Sequence, residues 1–366
     1  MKLKMLLAAA VAVGGLAAAA YADSGSLTIV SWGGAYSMSQ DKAYDEPFTK
    51  ESGVTIQHVD KSADGLAGIR SQVEANNVTW NIVDLLQSDA QRACDEGLVM
   101  KIDPDKWLAP APDGTPASKD FVEGSIGDCF IPQILYSTLF AYNKTAFPNG
   151  GPQTIQDVWD VKKFPGMRAL QKIPQKNLEW ALIADGVPAD KVYDVLATKE
   201  GQDQAFKSLD KIKKNVIWWD QGAQPPQLLA DKEAVIATAF NGRIFNAQVS
   251  ENQPFETIWD REMFEVDGWV IPVNQPKDKL DLIKKYIRFS TDTQHLADQA
   301  KYISYGPARK SSDPLVGKYQ DGKTQMAPYM PTNKDNMKTA FMFSPSFWTD
   351  YGDALEARFN TWLASK

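Results

Sequence analysis

The chain has 366 residues, 43% hydrophobic and 11% aromatic, with 39 Lys+Arg against 46 Asp+Glu and a formal net charge of −7. Such a composition is that of a globular protein, and an acidic chain without a basic cluster argues against nucleic acid as a partner. The length exceeds what a single core usually supports, so two domains are expected.

The first residues read as an address. Lys2 and Lys4 precede an apolar run from Met5 to Ala20, and Ala20-Tyr21-Ala22 is a small-x-small cleavage site followed by Asp23 and Ser24. This is the layout of a secretory signal peptide over residues 1–22, with a run shorter than the ~20 residues of a membrane span. Its removal takes away two lysines and no acid, so the mature net charge is −9. Export implies a periplasmic location.

Leu27 to Trp32 alternates as a strand, Gly33-Gly34 makes a turn, and a helical pattern runs from about Ser37 to Lys50. A second strand is expected over Val54–Val59, a helix over Gly65–Asn76, and a buried strand over Ile82–Leu86. Helix and strand go on alternating, which predicts α/β lobes with largely parallel sheets. His58, in the second strand, and His295, in a polar helical stretch, read as surface residues. Cys94 and Cys129 are the only cysteines, and in an oxidising compartment a pair is expected to be bridged. The segments Trp107–Pro116 and Asp313–Pro331 read as surface loops. Ile134–Asn143 is long and apolar for one strand, as a strand leaving one lobe for another would be, and Trp269–Val273 is a second candidate crossing. Two crossing strands make a hinge, and a hinge makes a cleft.

A set of motifs lies along this frame. They are Ser31-Trp32-Gly33-Gly34, Phe164-Pro165-Gly166-Met167-Arg168-Ala169-Leu170, Asn177-Leu178-Glu179, Gln224 to Asp231, Phe240-Asn241-Gly242-Arg243, Asp267 to Pro272, and Tyr305-Gly306-Pro307-Ala308. In their order and spacing the chain resembles the extracellular solute-binding proteins of the spermidine/putrescine-binding type. The resemblance implies a two-lobed α/β fold of the type II periplasmic-binding class, a ligand at the bottom of an interlobe cleft, and delivery to an ABC permease, with no catalysis and no cofactor. The expected division is 23–139 plus 273–310 for one lobe and 140–272 plus 311–366 for the other. A monomer is expected.

The resemblance also implies site residues. Trp32, at the carboxyl end of the first strand where α/β sheets place ligands, matches the family's stacking tryptophan, with Gly33 beside it. Ser88 matches a serine that faces ligand; its other reading is a helix N-cap. Glu179 and Asp267 match carboxylates that take ligand nitrogen, and the alternative for Glu179 is a surface acid. Tyr305 matches a cleft tyrosine. Phe240, Gln224 and Trp219 are further cleft candidates. An ammonium needs such a set: carboxylates for its charge, acceptors for its N–H groups, and aromatic faces.

Two departures change the ligand. Polyamine binders carry aspartates where this chain has Gly34 and Arg243. A cationic arginine facing a diammonium is unfavourable, whereas it can grip a carboxylate bidentately. With Asp267 and Glu179 for an amine, the cleft suits a zwitterion such as 4-aminobutyrate or a related amino acid or betaine. If Arg243 instead pairs internally with Glu179 or Asp267, a polyamine remains open. Three other classes are weaker. There is no nucleophile elbow, Walker loop or metal motif to support an enzyme. Tyr302 and Tyr305 lack a nearby histidine for ferric iron. A neutral sugar would leave the cleft's charges unpaired.

Overall fold

The computed structural model describes residues 25–365; the signal-peptide reading of residues 1–22 falls outside them. Eight main strands form the frame: β1 (Ser26–Ser31), β2 (Thr55–Asp60), β3 (Ile82–Leu86), β4 (Ile131–Asn143), β5 (Arg168–Gln171), β6 (Val216–Trp219), β7 (Ile236–Phe240) and β8 (Phe255–Val270). Their spatial order is β2-β1-β3-β8-β4-β7-β5-β6. β1 pairs in parallel with β2 and β3 at one end, and β5 pairs in parallel with β6 and β7 at the other. Between them the sheet is antiparallel, because β8 pairs with β3 and β4, and β4 with β7.

β4 and β8 are the crossing strands, and the packing shows why they must be long. Ile131 of β4 and Trp269 of β8 sit in a core with Leu27, Ile29, Tyr44, Ile82 and Tyr286. Phe140 of β4 and Ile258 of β8 sit in another, with Ile155, Leu170, Trp180, Leu209 and Phe359. Each strand thus serves two cores, and the cleft lies where it passes from one to the other. The second crossing is Phe255–Val270, far longer than the Trp269–Val273 run read from sequence. Charged residues from Glu256 to Glu265 and an irregular register near Arg261, which has φ 54°, break the apolar alternation that marks a strand.

The motif Phe164–Leu170 is scaffolding. Arg168 is fully buried and donates to the carbonyls of Val158, Gly166 and Phe164 at 3.1, 2.6 and 2.5 Å. The segment expected as a surface loop over Asp313–Pro331 is partly core: Tyr319, Met326 and Met330 bury themselves against Phe245. Trp107 closes a short helix, Pro104–Trp107. His58 is also more buried than its strand pattern suggested. Its Nε2 lies 2.6 Å from Asp45, and Asp45 also accepts from the Tyr286 hydroxyl at 2.5 Å. Burial works against the imidazolium, but hydrogen bonding and attraction from Asp45 outweigh it and raise the His58 pKa. Among the described residues no helix is long and apolar enough to cross a membrane.

The expected disulfide is present. Cys94, at the end of the helix Gln87–Asp95, is bonded to Cys129, two residues before β4, across 35 positions. Closing a loop of that length restricts the unfolded chain, so C94S/C129S should lose about 4 kcal/mol of stability, measured by urea unfolding against the oxidised parent. An unchanged midpoint would show that the bridge constrains nothing.

Candidate functional site

A cavity of about 670 Å³ opens between the two cores. Of the residues singled out from sequence, Trp32, Ser88, Trp219, Phe240, Arg243, Asp267 and Tyr305 line it. Ser88 is the second residue of the helix Gln87–Asp95 and makes no cap, which leaves its hydroxyl to the cleft. Gly33, Glu179 and Gln224 lie behind the wall. Gly33 donates to Ser37 Oγ at 2.9 Å, and Gln224 accepts from the backbone of Asp220 and Gln221, shaping the turn that does line the cavity.

The register of the crossing strands sets the floor. Asp267 is opposite Ile134 on β4 and Leu86 on β3. It is 3% exposed; its Oδ1 and the Trp32 indole N–H make no well-formed hydrogen bond, yet the indole is near enough to favour the Asp267 anion. Burial and the neighbouring Asp84 drive the Asp267 pKa well above the ordinary carboxylate range. Asp84, fully buried, accepts from Gln40 Nε2 at 2.8 Å and more weakly from the Tyr36 hydroxyl at 3.4 Å. Those donors favour the Asp84 anion, but burial raises its pKa to about 7. The two acids are hydrogen-bonded to each other and therefore share a proton, with Asp84 the better-supported anion.

Aromatic rings form the walls. Tyr305 lies 5.8 Å from Tyr36 and 5.9 Å from Tyr136, and Phe240 meets Tyr136 and Trp219 edge-on at 5.5 and 5.9 Å. Gly242 makes this possible at the start of the helix Asn241–Val249, since a Cβ there would stand 2.5 Å from the Tyr305 ring. Arg243 projects from the same helix toward the β1 end. Its Nη2 makes long contacts, 3.4 Å each, to the carbonyls of Trp32 and Gly33, and its Nε is buried without a partner. Among the described residues Arg243 forms no ion pair. The internal pairing with Glu179 or Asp267 left open by the sequence is absent.

The two departures from the polyamine pattern prove to be neighbours. A Cβ on Gly34, whose φ is +61°, would lie 3.0 Å from Arg243 Nη1. The missing side chain at 34 is the room the guanidinium occupies.

Glu179 needs correction. It is fully buried in the helix Asn177–Ala184, neither on the surface nor at the cavity. Its Oε1 accepts from the Trp348 indole at 2.7 Å and the Tyr193 hydroxyl at 3.2 Å. Trp348 does line the cavity, from the helix Pro345–Ala364. Glu179 thus orients a wall residue. Sequence reading also missed Tyr36, Tyr136, Lys176, Glu265 and Trp348. Tyr136 was findable, because it shares a strand face with Ile134, and Glu265 likewise shares one with Asp267. Nothing local marks Lys176 or Trp348.

An interlobe cavity with aromatic walls and charges of both signs, spanned by two crossing strands, suits a small charged solute. Residues 43–352 match the family of bacterial extracellular solute-binding proteins, and the chain belongs to that family. It is 36% identical over 348 residues to the gamma-aminobutyric acid-binding protein of Pseudomonas aeruginosa, covering 95% of this chain and 94% of that one. Its fold matches the binding protein MotA of A. tumefaciens B6 in complex with glucopine, with TM-score 0.79, 29% identity, and 92% and 99% of the two chains covered. It also matches the GABA receptor Atu4243, with TM-score 0.77, 29% identity and coverage of 93% and 98%.

Burial raises the Glu179 pKa to about 7. Its folded-state proton is therefore held more tightly than in the unfolded chain, and stability falls as pH rises from the ordinary carboxylate range to about 7. Glu179→Gln keeps an acceptor for Trp348 and removes that charge. At pH 8 it should be more stable than the parent by on the order of 1 kcal/mol, with ligand affinity retained. Abolished binding in a folded E179Q would return Glu179 to direct ligand contact.

Proposed function

We propose that this chain is the periplasmic capture component of an ABC importer for 4-aminobutyrate or a closely related amino-acid zwitterion, exported by cleavage after residue 22. The observation that carries the ligand is Arg243: a guanidinium at the cavity, bonded only weakly to two carbonyls and to no acid among the described residues, in a cleft whose floor holds Asp267. Arg243 takes the carboxylate, which can accept two parallel N–H bonds. Asp267 takes the ammonium, and Trp32, Tyr305 and Phe240 enclose the methylenes between. Tyr305 is placed to feel both ends: burial raises its pKa to about 12, Arg243 pulls it down and Asp267 pushes it up. The name of the Pseudomonas relative supports this reading. The disulfide suits an oxidising compartment. The partner is the importer's membrane permease, met by a monomer.

A longer amino-acid conjugate is a second reading. The cavity, at about 670 Å³, is roomier than a four-carbon amino acid requires, and MotA is in complex with glucopine. A polyamine is less suited, since Arg243 opposes one of its ammoniums.

Two measurements test the ligand. Calorimetric titration with 4-aminobutyrate should show binding that Arg243→Ala weakens by about a hundredfold or more, as expected when a buried charged partner is lost; equal affinity in a folded variant would sink the zwitterion. The second is pH. The Asp84–Asp267 pair gains its second proton as pH falls below about 7, while the ligand's own groups stay ionised. Affinity should therefore fall with falling pH, approaching about tenfold per pH unit. A flat profile from pH 8 to 5.5 would place the ammonium elsewhere.

A further inference from the structure

The floor of the cleft carries a second carboxylate that the zwitterion does not use. Glu265 and Asp267 are two residues apart on β8, opposite Tyr136 and Ile134, so both point to the same face with side chains roughly 7 Å apart. Both line the cavity. Two acids so spaced could each receive one ammonium of a short diamine. In this chain one of them is already taken. Lys176 Nζ lies 2.5 Å from Glu265 Oε2, and the Tyr136 hydroxyl donates to the same oxygen at 2.9 Å. The ammonium also sits 5.9 Å from the centre of the Phe343 ring. A carboxylate, a hydroxyl and an aromatic face are the set an ammonium ligand would seek.

The pair is built in. The Lys176 and Glu265 side chains are 7% and 9% exposed. Lys176 stands ahead of the helix Asn177–Ala184 with φ 70°, a left-handed conformation that a lysine rarely adopts. Neighbours fix it there: its carbonyl accepts from Trp180 N at 2.9 Å, and the Asn177 side chain donates to the carbonyls of Gln171 and Ile173 at 2.7 and 2.6 Å. A strained backbone held by its surroundings at a ligand cavity is where functional constraint is found.

We propose that Lys176 is a specificity-determining residue that excludes diamines. It occupies the second amine position from within and neutralises Glu265, so that of the two acids on β8 only Asp267 is open to a ligand amine. A second ammonium arriving there would meet no free anion and a resident cation. The inference rests on the reading that Asp267 receives the ligand ammonium.

The test is calorimetric titration of the mature chain with 4-aminobutyrate and with putrescine. The parent should bind putrescine far more weakly than 4-aminobutyrate. In Lys176→Met, which keeps the stem and removes the charge, the ratio of putrescine to 4-aminobutyrate affinity should rise by about tenfold to a hundredfold, as a freed charged acceptor implies. Adding Glu265→Gln should cancel the gain. Lys176→Gln serves if the methionine variant does not fold, and the parent's putrescine affinity decides independently of both. A parent that binds putrescine as tightly as 4-aminobutyrate, or folded Lys176 variants with an unchanged ratio, would overturn the proposal. A parent that binds no 4-aminobutyrate would instead count against the ligand reading itself.

Discussion

Everything at the cleft depends on the pairing of β4 with β8. Among the described residues these are the only main strands shared between both large cores, and their register decides which side chains reach the floor. With Ile134 opposite Asp267 and Tyr136 opposite Glu265, both acids and the tyrosine face the cavity. A slip of one residue would turn all of them to the other face. Gly268 helps to hold the register tight, because a Cβ there would lie 2.2 Å from the Ile131 carbonyl. The same strands join the lobes, so the floor acids sit on the elements common to both.

The electrostatics of the floor follow from depth. Asp84, Asp267 and Glu179 are all buried, and burial raises the pKa of each. The protein meets this in different ways. Glu179 has two donors and serves as an anchor. Glu265 has a resident lysine. Asp267 has an unpartnered oxygen and a proton shared with Asp84. The least satisfied of these groups is the one that faces the cavity, which is where an unsatisfied polar group can be repaid by a ligand. Arg243 repeats the pattern with the opposite sign: long contacts to two carbonyls and a buried Nε without a partner.

Much of the fold was legible in the sequence. Strand periodicity marked β1, β2 and β3 to within a residue, and the length of the Ile134–Asn143 run identified β4 as a crossing. β8 was obscured because its middle carries charges whose burial depends on partners far along the chain. The site was legible in part. Trp32, Ser88, Phe240 and Arg243 reach the cavity because a strand end, or the segment just past it, leads there, whereas Asp267 reaches it through the register of β8 and Tyr305 from the residue before the short strand Gly306–Pro307. Glu179 did not, since a helical residue's facing is set by packing against Tyr193 and Trp348, which no local pattern records. Lys176 was invisible for a similar reason: its role comes from an unusual φ and from a partner on another strand.

The closeness of Gly34 and Arg243 constrains how such a cleft can change its ligand over time. An aspartate can adopt the left-handed backbone at position 34, but its carboxylate would fall against the guanidinium and neutralise it. Losing the arginine alone would leave an empty corner with no acid to receive an amine. Each single step therefore passes through a receptor suited to neither ligand, and only the pair of changes exchanges one specificity for the other. The two positions should behave as one unit, with a coupling that a double-mutant cycle reads directly.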